Sequence, residues 1–264
     1  MFKHKNLKIL GNTTLGSDYY MLELEIKDEI AVNPGNFIMI SFPCRRDLLL
    51  PRPFSIFDFS NNVMQILYKV VGAGTKYLAE LKPGEEIGCS YPLGNHFVNP
   101  LEYDSVFLIG GGFGAAPLNF YLHVNSLEAN SYKAQFLLGA KSADQLPYLD
   151  HLCETSKQFL EVSTDDGSQG FKGFVTELFK SRIAQTDKSD KILVLSCGPE
   201  VMMYALTKLV KSIESEYNID AYFSLEEKMA CGFGVCSGCI VETTSGYKRV
   251  CKDGTIFKLE DLVL

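Results

Sequence analysis

Four cysteines near the end of the sequence have the spacing of a metal-binding loop. Cys231, Cys236 and Cys239 are followed, after eleven intervening residues, by Cys251, which gives the pattern C-x4-C-x2-C…C. This is the spacing of plant-type [2Fe–2S] sites, where four thiolates hold two irons. Interleaved glycines let the backbone curl and point N–H groups at the sulfurs; they are Gly232, Gly234 and Gly238. The pattern favours one [2Fe–2S] cluster on all four cysteines.

Three other chemistries use cysteines in related patterns. A zinc ribbon usually has two C-x2-C pairs, whereas this tail has one. A thioredoxin-like C-x2-C opens a helix, whereas residues 240–244 (IVETT) have the composition of a strand. Residues 234–238 (GVCSG) match a nucleophile elbow, but neither a helix nor a nearby histidine follows. Zinc binding is the main alternative to the iron–sulfur cluster.

A glycine-rich loop lies in the middle of the chain. Residues 105–109 (SVFLI) are typical of a buried strand, and residues 110–115 (GGGFGA) fit the dinucleotide-binding pattern G-x-G-x-x-G/A. The acidic residue expected about 20 positions later is missing, because the next strand ends in Gly139, Ala140 and Lys141. The loop is therefore either a dinucleotide site without the usual ribose contact or a plain turn.

A second loop of this kind contains Cys197, Gly198 and Pro199. It ends an apolar strand and precedes a helical stretch, which places it at the carboxyl end of a parallel sheet, where such folds bind ligands. The alternative is a small buried cysteine followed by an ordinary helix start. The sequence around Cys197 leaves both interpretations open.

An arginine between two prolines is a candidate phosphate ligand. Arg52 lies on a stiff segment, and a fixed guanidinium can bind phosphate through two hydrogen bonds. Ser55 follows on the next strand, and residues 72–75 (GAGT) add small residues and a hydroxyl. A solvated arginine and a hairpin turn are the alternatives.

The elements that must position these residues change character near residue 100. Before it, short runs rich in strand formers, separated by turn residues, predict an antiparallel barrel or sandwich; the runs are residues 19–26, 37–42 and 63–71. After it, strands alternate with helical stretches, which predicts a parallel sheet. The predicted strands are residues 105–109, 133–138, 159–162 and 191–196, and the helical stretches are residues 117–127 and 201–215.

We therefore expect a multidomain chain that combines β and α/β domains. The predicted parts are an N-terminal antiparallel β-barrel (residues 1–99), a parallel-sheet α/β domain (100–222) and a small C-terminal [2Fe–2S] domain (223–264). The last part is too short to bury a large core by itself and needs a staple such as a metal centre.

Composition excludes several classes of protein. The 264 residues carry a formal net charge of −7, which argues against binding to nucleic-acid phosphates. No apolar run approaches the ~18 residues of a membrane helix, and no secretory signal is evident. We expect a cytoplasmic chain, in which clustered cysteines bind metal rather than form disulfides.

Together these segments resemble a known family. The order R-P-x-S, G-x-G-T, G-G-G-x-G-x-x-P-L and C-G-P is similar to that of the electron-transfer subunits of type 1B dihydroorotate dehydrogenases, in the ferredoxin-reductase superfamily. Residues 225–239 (LEEKMACGFGVCSGC) carry the most specific part of the resemblance, and residues 164–168 (TDDGS) and 173–176 (GFVT) add to it. The resemblance spans nearly the whole chain.

The resemblance implies two nucleotide cofactors and one cluster. The barrel would bind FAD through Arg52, Pro53, Phe54, Ser55, Leu67, Tyr68, Lys69, Gly74 and Thr75. The α/β domain would bind NAD through Gly111, Gly112, Gly114, Cys197, Gly198 and Pro199, with Cys197 near the nicotinamide as the candidate catalytic residue. The four tail cysteines would ligate the [2Fe–2S] cluster.

The resemblance also implies a partner. This would be an FMN-containing catalytic subunit that oxidises dihydroorotate to orotate in pyrimidine biosynthesis, assembled as a heterotetramer of two subunits of each kind. One departure is residues 253–255, which read D-G-T where the family has D-G-P. The interval between Cys239 and Cys251 is also on the short side.

Related flavin and iron–sulfur subunits share most of these motifs. The alternatives are a ferredoxin:NADP reductase-type subunit of a bifurcating transhydrogenase, a sulfide dehydrogenase and a sulfite reductase. Lys141 leaves the choice between NAD and NADP open, since a lysine can meet a 2′-phosphate. A non-enzymatic, zinc-stapled binding module is the alternative from another class, and it predicts a colourless protein.

Overall fold

The computed structural model describes residues 2–42, 45, 47–126 and 131–263. In the first part of this described chain, seven strands form one antiparallel sheet in the order β4-β3-β7-β1-β2-β6-β5. The strands are β1 (Lys3–Gly16), β2 (Tyr19–Glu25), β3 (Phe37–Ser41), β4 (Arg52–Ser55), β5 (Asp58–Ser60), β6 (Val63–Lys69) and β7 (Glu86–Leu93). A short helix, α1 (Ala73–Glu80), lies between β6 and β7.

The first sheet curls because its longest strand changes partner along its length. The first half of β1 pairs with β7, and the second half pairs with β2. Irregular pairing between Ile9 and Gly11, where the partner changes, bends the strand and increases its twist. The buried side chains Leu22, Ile38, Ile66 and Tyr91 lie inside the curl. This is the antiparallel β-domain that the sequence predicts.

The second sheet is parallel except at one edge. Its order is β11-β10-β9-β8-β12-β13-β16. Of the described strand pairs in this second sheet, β13–β16 alone is antiparallel. The strands are β8 (Ser105–Gly111), β9 (Lys133–Ala140), β10 (Leu160–Thr164), β11 (Phe171–Lys172), β12 (Lys191–Cys197), β13 (Asn218–Ser224) and β16 (Ile256–Lys258). Because β8 lies centrally, between β9 and β12, it is buried along its whole length.

Helices connect the parallel strands. They are α2 (Ala115–Val124), α3 (Glu154–Phe159), α4 (Val175–Ile183) and α5 (Glu200–Ile213). The predicted helical stretch at 117–127 corresponds to α2, and Leu127 lies outside the described residues. Sequence periodicity missed β1, whose first half alternates little because most of its side chains are exposed. No helix in the described part of the chain is both long and apolar enough to span a bilayer.

The C-terminal segment packs on the second sheet. It contains the hairpin β14 (Ile240–Thr243) and β15 (Gly246–Arg249), the short helix α6 (Val250–Asp253), and β16, which extends the sheet beyond β13. Its side chains Val250, Phe257 and Leu262 belong to the same buried cluster as α5. The predicted boundaries at 99/100 and 222/223 stay predictions, and the second of them falls within β13.

One asparagine ties the first domain to this segment. The side-chain amide of Asn95 donates to the carbonyl of Ile256 and accepts from its N–H, both at 2.8 Å. We expect Asn95→Ala to lose about 1–3 kcal/mol of unfolding free energy, because two hydrogen bonds disappear. Urea unfolding measures this loss. The control Asn125→Ala removes one local hydrogen bond to the Tyr121 carbonyl and should cost about 0.5 kcal/mol of unfolding free energy or less. Equal losses in the two variants would contradict a stabilising contact between Asn95 and the C-terminal segment.

Candidate functional site

A cleft of about 920 Å³ lies where the two sheets and the C-terminal segment meet. Its volume falls within the range of about 300–1,000 Å³ that is typical of cofactor sites. One wall comes from the first sheet, a second from the glycine loop after β8, and a third from residues 224–229. The cleft brings together all nine candidate FAD residues: Arg52, Pro53, Phe54, Ser55, Leu67, Tyr68, Lys69, Gly74 and Thr75.

One end of the cleft combines Arg52 with the start of α1. A methyl group at Gly74 would lie 3.4 Å from Arg52 Nε and 3.3 Å from the Phe42 ring. The first N–H groups of a helix have no intrahelical partners, and the helix dipole favours an anion there. A guanidinium beside this helix end suits a pyrophosphate.

Two of the candidate side chains have other partners for their hydroxyls. Thr75 Oγ1 accepts from the N–H groups of Val71 and Gly72 and so caps α1. Tyr68 donates its hydroxyl to Asn12 Oδ1 inside the first domain. These two side chains therefore shape the cleft, and the candidate anion-binding atoms are those of Arg52 and the backbone N–H groups at the start of α1.

We expect Arg52→Ala to weaken FAD binding by about 10- to 150-fold, since a charge-assisted hydrogen bond contributes about 1.5–3 kcal/mol. Arg52→Lys should recover only part of this loss, because a lysine cannot bind a phosphate through a planar fork. Titration of the apoprotein with FAD, followed by flavin fluorescence, measures the dissociation constant. An unchanged constant in Arg52→Ala would contradict this role.

The glycine loop and the loop after β12 interlock at the carboxyl ends of their strands. A methyl group at Gly114 would lie 1.7 Å from the carbonyl oxygen of Cys197. One at Gly111 would lie 2.8 Å from Pro199 Cδ, and one at Gly198 would lie 2.9 Å from the Gly111 nitrogen. Only glycines permit this approach. The two predicted NAD segments therefore form one surface.

Gly112 lies on the open side of this surface. Its φ is +53°, and nothing lies within 4 Å of the position that a methyl group would take. The loop leads directly into α2, so the N-terminal end of that helix faces the open space. A glycine loop that opens a helix in this way is the geometry that binds dinucleotide phosphates.

Cys197 is buried at the end of β12. Burial raises the pKa of its thiol far above the ordinary value, which favours the protonated thiol at neutral pH. Ser224 pairs with Cys197 across the β12–β13 ladder, and the negative charge of Glu226 also affects the thiol. Desolvation by the surrounding protein raises the pKa of the Glu226 carboxyl, although part of its side chain is exposed to solvent.

Sequence reasoning missed the contributions of Phe113, Ala116 and Glu226 to the cleft. It included two acidic residues, Asp165 and Asp166, in the family resemblance but gave them no role beside the end of β9. The N–H of Asp165 donates to the Ala140 carbonyl, and the N–H of Asp166 donates to the Lys141 carbonyl. The Rossmann pattern expects an acidic residue at the end of β9, whereas these two aspartates follow β10. The spacing within the pattern therefore does not reveal them.

The four tail cysteines come together as two contacting pairs. The N–H of Cys236 donates to Cys231 Sγ at 3.5 Å, and the N–H of Cys251 donates to Cys239 Sγ at 3.4 Å. A third backbone donor, Gly238, reaches Cys236 Sγ at 3.4 Å. Within residues 2–42, 45, 47–126 and 131–263, no three potential ligands are gathered tightly enough to form a metal-binding group.

The loop around Cys231 stabilises a thiolate. Burial opposes ionisation, but the N–H groups of Cys236, Phe233 and Val235 and the Cys236 thiol together lower the pKa of Cys231 to about 6. Gly232 and Gly234 have φ values of +80° and +87°, which allow the backbone to wrap around the sulfur. Thiolates surrounded by backbone N–H groups are the donor set that an iron–sulfur cluster needs, so these residues fit such a cluster.

The cluster loop lies directly against the first domain. A methyl group at Gly232 would lie 2.4 Å from Met39 Cγ, and Met39 pairs with Pro53 of the cleft in the β3–β4 ladder. Along the chain, Met229 lines the cleft and Cys231 follows two residues later. Two residues span at most about 7 Å. The cysteine loop and the cleft are therefore immediate neighbours.

Comparisons with known proteins agree with this arrangement. Residues 108–208 match the model of the oxidoreductase NAD-binding domain, and residues 226–263 match that of the iron–sulfur cluster binding domain of dihydroorotate dehydrogenase B. A structure of an NADH-dependent reduced ferredoxin-NADP oxidoreductase superposes with a TM-score of 0.80 at 27% identity, covering 97% of this chain and 88% of the other. The ferredoxin NADP⁺ reductase of Neisseria gonorrhoeae shares the fold, with a TM-score of 0.69 over 84% of this chain and 99% of its own.

The curled antiparallel sheet, the parallel sheet with its glycine loop and the cysteine loop define an oxidoreductase of the ferredoxin-reductase class with an iron–sulfur domain. Curated relatives narrow the class. The dihydroorotate dehydrogenase B (NAD(+)) electron transfer subunit of Clostridium acetobutylicum is 39% identical over 97% of this chain and 96% of its own length. The homologue from Aquifex aeolicus is 36% identical over the full length of both. The chain belongs to the family of dihydroorotate dehydrogenase B (NAD⁺) electron transfer subunits.

Proposed function

We propose that this protein carries electrons from the FMN of a dihydroorotate dehydrogenase catalytic subunit, through a [2Fe–2S] cluster and FAD, to NAD⁺. The observation that carries the proposal is the closeness of the cysteine loop to the cleft, since Met229 of the cleft wall is two residues from Cys231. Family membership supports the reaction, the oxidation of dihydroorotate with NAD⁺ as the acceptor, and we propose that the complex is cytoplasmic.

Each part of the chain has a separate task. Arg52 and the start of α1 hold the FAD phosphates, and the residues of β4 and β6 line the cleft beside them. The loops at Gly111–Gly114 and Cys197–Pro199 receive NAD⁺, while the neutral Cys197 thiol contributes shape rather than proton transfer. A bound flavin exchanges hydride with NAD and single electrons with a cluster, which is why it must lie between them.

The carboxylates beside β9 support NAD⁺ over NADP⁺. Asp165 and Asp166 lie next to Ala140 and Lys141, where a ribose bound beside the glycine loop would extend. Hydrogen bonds from Ser168 lower the pKa of Asp166, which keeps this carboxylate charged. A charged carboxylate accepts a hydrogen bond from the ribose 2′-hydroxyl of NAD⁺ and repels the 2′-phosphate of NADP⁺.

The partner surface belongs near Cys236, because electron transfer requires proximity. Cys236 is exposed, and Val235 beside it is 77% exposed. Phe233 stacks on Phe2 with ring centroids 5.5 Å apart, and both rings are partly exposed. Apolar side chains around a redox centre suit a protein interface. We propose a heterotetramer of two subunits of each kind.

An anaerobic absorption spectrum tests the proposal. The purified chain should show flavin bands near ~450 nm together with iron–sulfur absorbance, and NADH should bleach both. Addition of the FMN-containing catalytic subunit and dihydroorotate should then reduce NAD⁺. The same mixture without this chain is the control. A colourless, zinc-containing protein would contradict the proposal and support the zinc-stapled binding module.

The second candidate is a subunit of another flavin and iron–sulfur complex, and the similarity to the NADH-dependent reduced ferredoxin-NADP oxidoreductase favours it. It predicts the same spectrum. It differs in the last step, because dihydroorotate with the catalytic subunit would give no NAD⁺ reduction, whereas reduced ferredoxin would.

A further inference from the structure

A buried tyrosine contacts the glycine loop from inside the second domain. The hydroxyl of Tyr148 donates to the carbonyl oxygen of Gly112 at 2.5 Å, and its side chain is fully buried. Tyr148 lies in the segment after β9, 36 positions from its partner. Burial raises the pKa of Tyr148, so the hydroxyl remains a neutral donor at physiological pH.

This hydrogen bond fixes the direction of one peptide group. The Gly112 carbonyl also accepts from the N–H of Ala115, so it points into α2 from its first turn. A trans peptide is planar, and its N–H is directed opposite to its C=O. The N–H of Phe113 therefore points out of the N-terminal end of α2, toward the space in which a dinucleotide phosphate binds.

Gly112 needs this restraint more than its neighbours do. Its φ of +53° and the open space above it leave the peptide free to rotate on that side. Tyr19 of β2 holds the other side of the arrangement. Its ring stacks on Phe113 with centroids 5.1 Å apart and lies 6.1 Å from the ring of Tyr148. The glycine loop is thus held between the Tyr148 hydroxyl on one side and the Tyr19 ring of the first domain on the other.

We propose that Tyr148 is a positioning residue that orients the Gly112–Phe113 peptide for the pyrophosphate of NAD. The inference rests on the proposed function, because it assumes that this loop binds the dinucleotide. It assigns a role to a side chain that is not among the described residues lining the cleft. Its effect is on binding of the phosphates and not on the chemistry at the flavin.

The test compares Tyr148→Phe with Tyr121→Phe in the full chain loaded with FAD and cluster. Tyr121 is also a buried tyrosine, and it donates to a backbone carbonyl, that of Val98, away from the loop. Tyr148→Phe should raise the KM for NADH by about 3- to 10-fold, the effect of one lost hydrogen bond, with kcat for an artificial acceptor unchanged. Tyr121→Phe should leave KM at the wild-type value.

Competitive inhibitors separate positioning from a general structural effect. In Tyr148→Phe the inhibition constant of ADP-ribose should rise with KM, whereas that of adenosine, which lacks the pyrophosphate, should not change. An equal rise for both inhibitors, or an unchanged KM, overturns the positioning role while NADH still bleaches the wild-type flavin. If NADH fails to bleach the wild-type flavin, the proposed function falls, and the inference falls with it.

Discussion

The Cys236→Ser variant should lose electron exchange with the catalytic subunit but keep flavin reduction by NADH. Cys236 is the exposed member of its pair, and its sulfur accepts the Gly238 N–H while Cys236 itself donates to Cys231. Without this thiolate, the loop has three of the four ligands that a [2Fe–2S] cluster requires. Cys236 is not among the described residues that line the cleft.

Two assays on the same preparation measure the effect. Dihydroorotate-dependent NAD⁺ reduction by the complex should fall to the background rate. NADH-dependent reduction of an artificial acceptor should stay within about twofold of the wild-type rate, because Cys236 takes no part in that reaction. Cluster absorbance should fall while the flavin content holds.

Cys153→Ser is the matched control for this change. The sulfur of Cys153 accepts the Ser156 N–H and caps α3, and a serine hydroxyl serves that cap at least as well. The control should therefore keep both activities and the cluster. If Cys236→Ser lost NADH–flavin activity although it was folded and full of FAD, the division of tasks proposed above would be wrong.

Gly114→Ala should abolish most NADH-dependent flavin reduction. The added methyl group would lie 1.7 Å from the Cys197 carbonyl oxygen, which is backbone and cannot rotate away. Either the glycine loop or the loop after β12 must move by about an ångström or more, and a displacement of that size can cost about 100-fold in rate. We expect kcat/KM for NADH to fall by at least about that factor.

Gly112→Ala distinguishes this clash from a general sensitivity of the loop. Its methyl group would meet no protein atom within 4 Å, so its cost to folding is that of a left-handed backbone, about 1–2 kcal/mol. In urea unfolding, the free energy lost by Gly112→Ala should therefore be smaller than that lost by Gly114→Ala. Chemical reduction by dithionite should show that both variants contain flavin. Equal losses in the two variants would contradict the close packing of the loops.

Local motifs were predictable because each depends on the types and spacing of a few residues that are close in the sequence. Four cysteines at a fixed spacing, with glycines between them, restrict the backbone around a cluster whatever the rest of the chain does. The strand before the glycine loop follows from a short apolar run, and α5 follows from helical periodicity. The sequence by itself therefore determined the candidate ligands, the two sheet types and the family.

Contacts between distant segments were decided only by the tertiary structure. The cleft joins β4, α1, the glycine loop and residues 224–229, and no spacing in the sequence records which strand edges will face each other. The packing of Gly232 on Met39, the hydrogen bond from Tyr148 to Gly112 and the approach of Asp165 to Ala140 have the same origin. Each depends on strand order and sheet curl, which arise from the burial of the whole core and not from local preference.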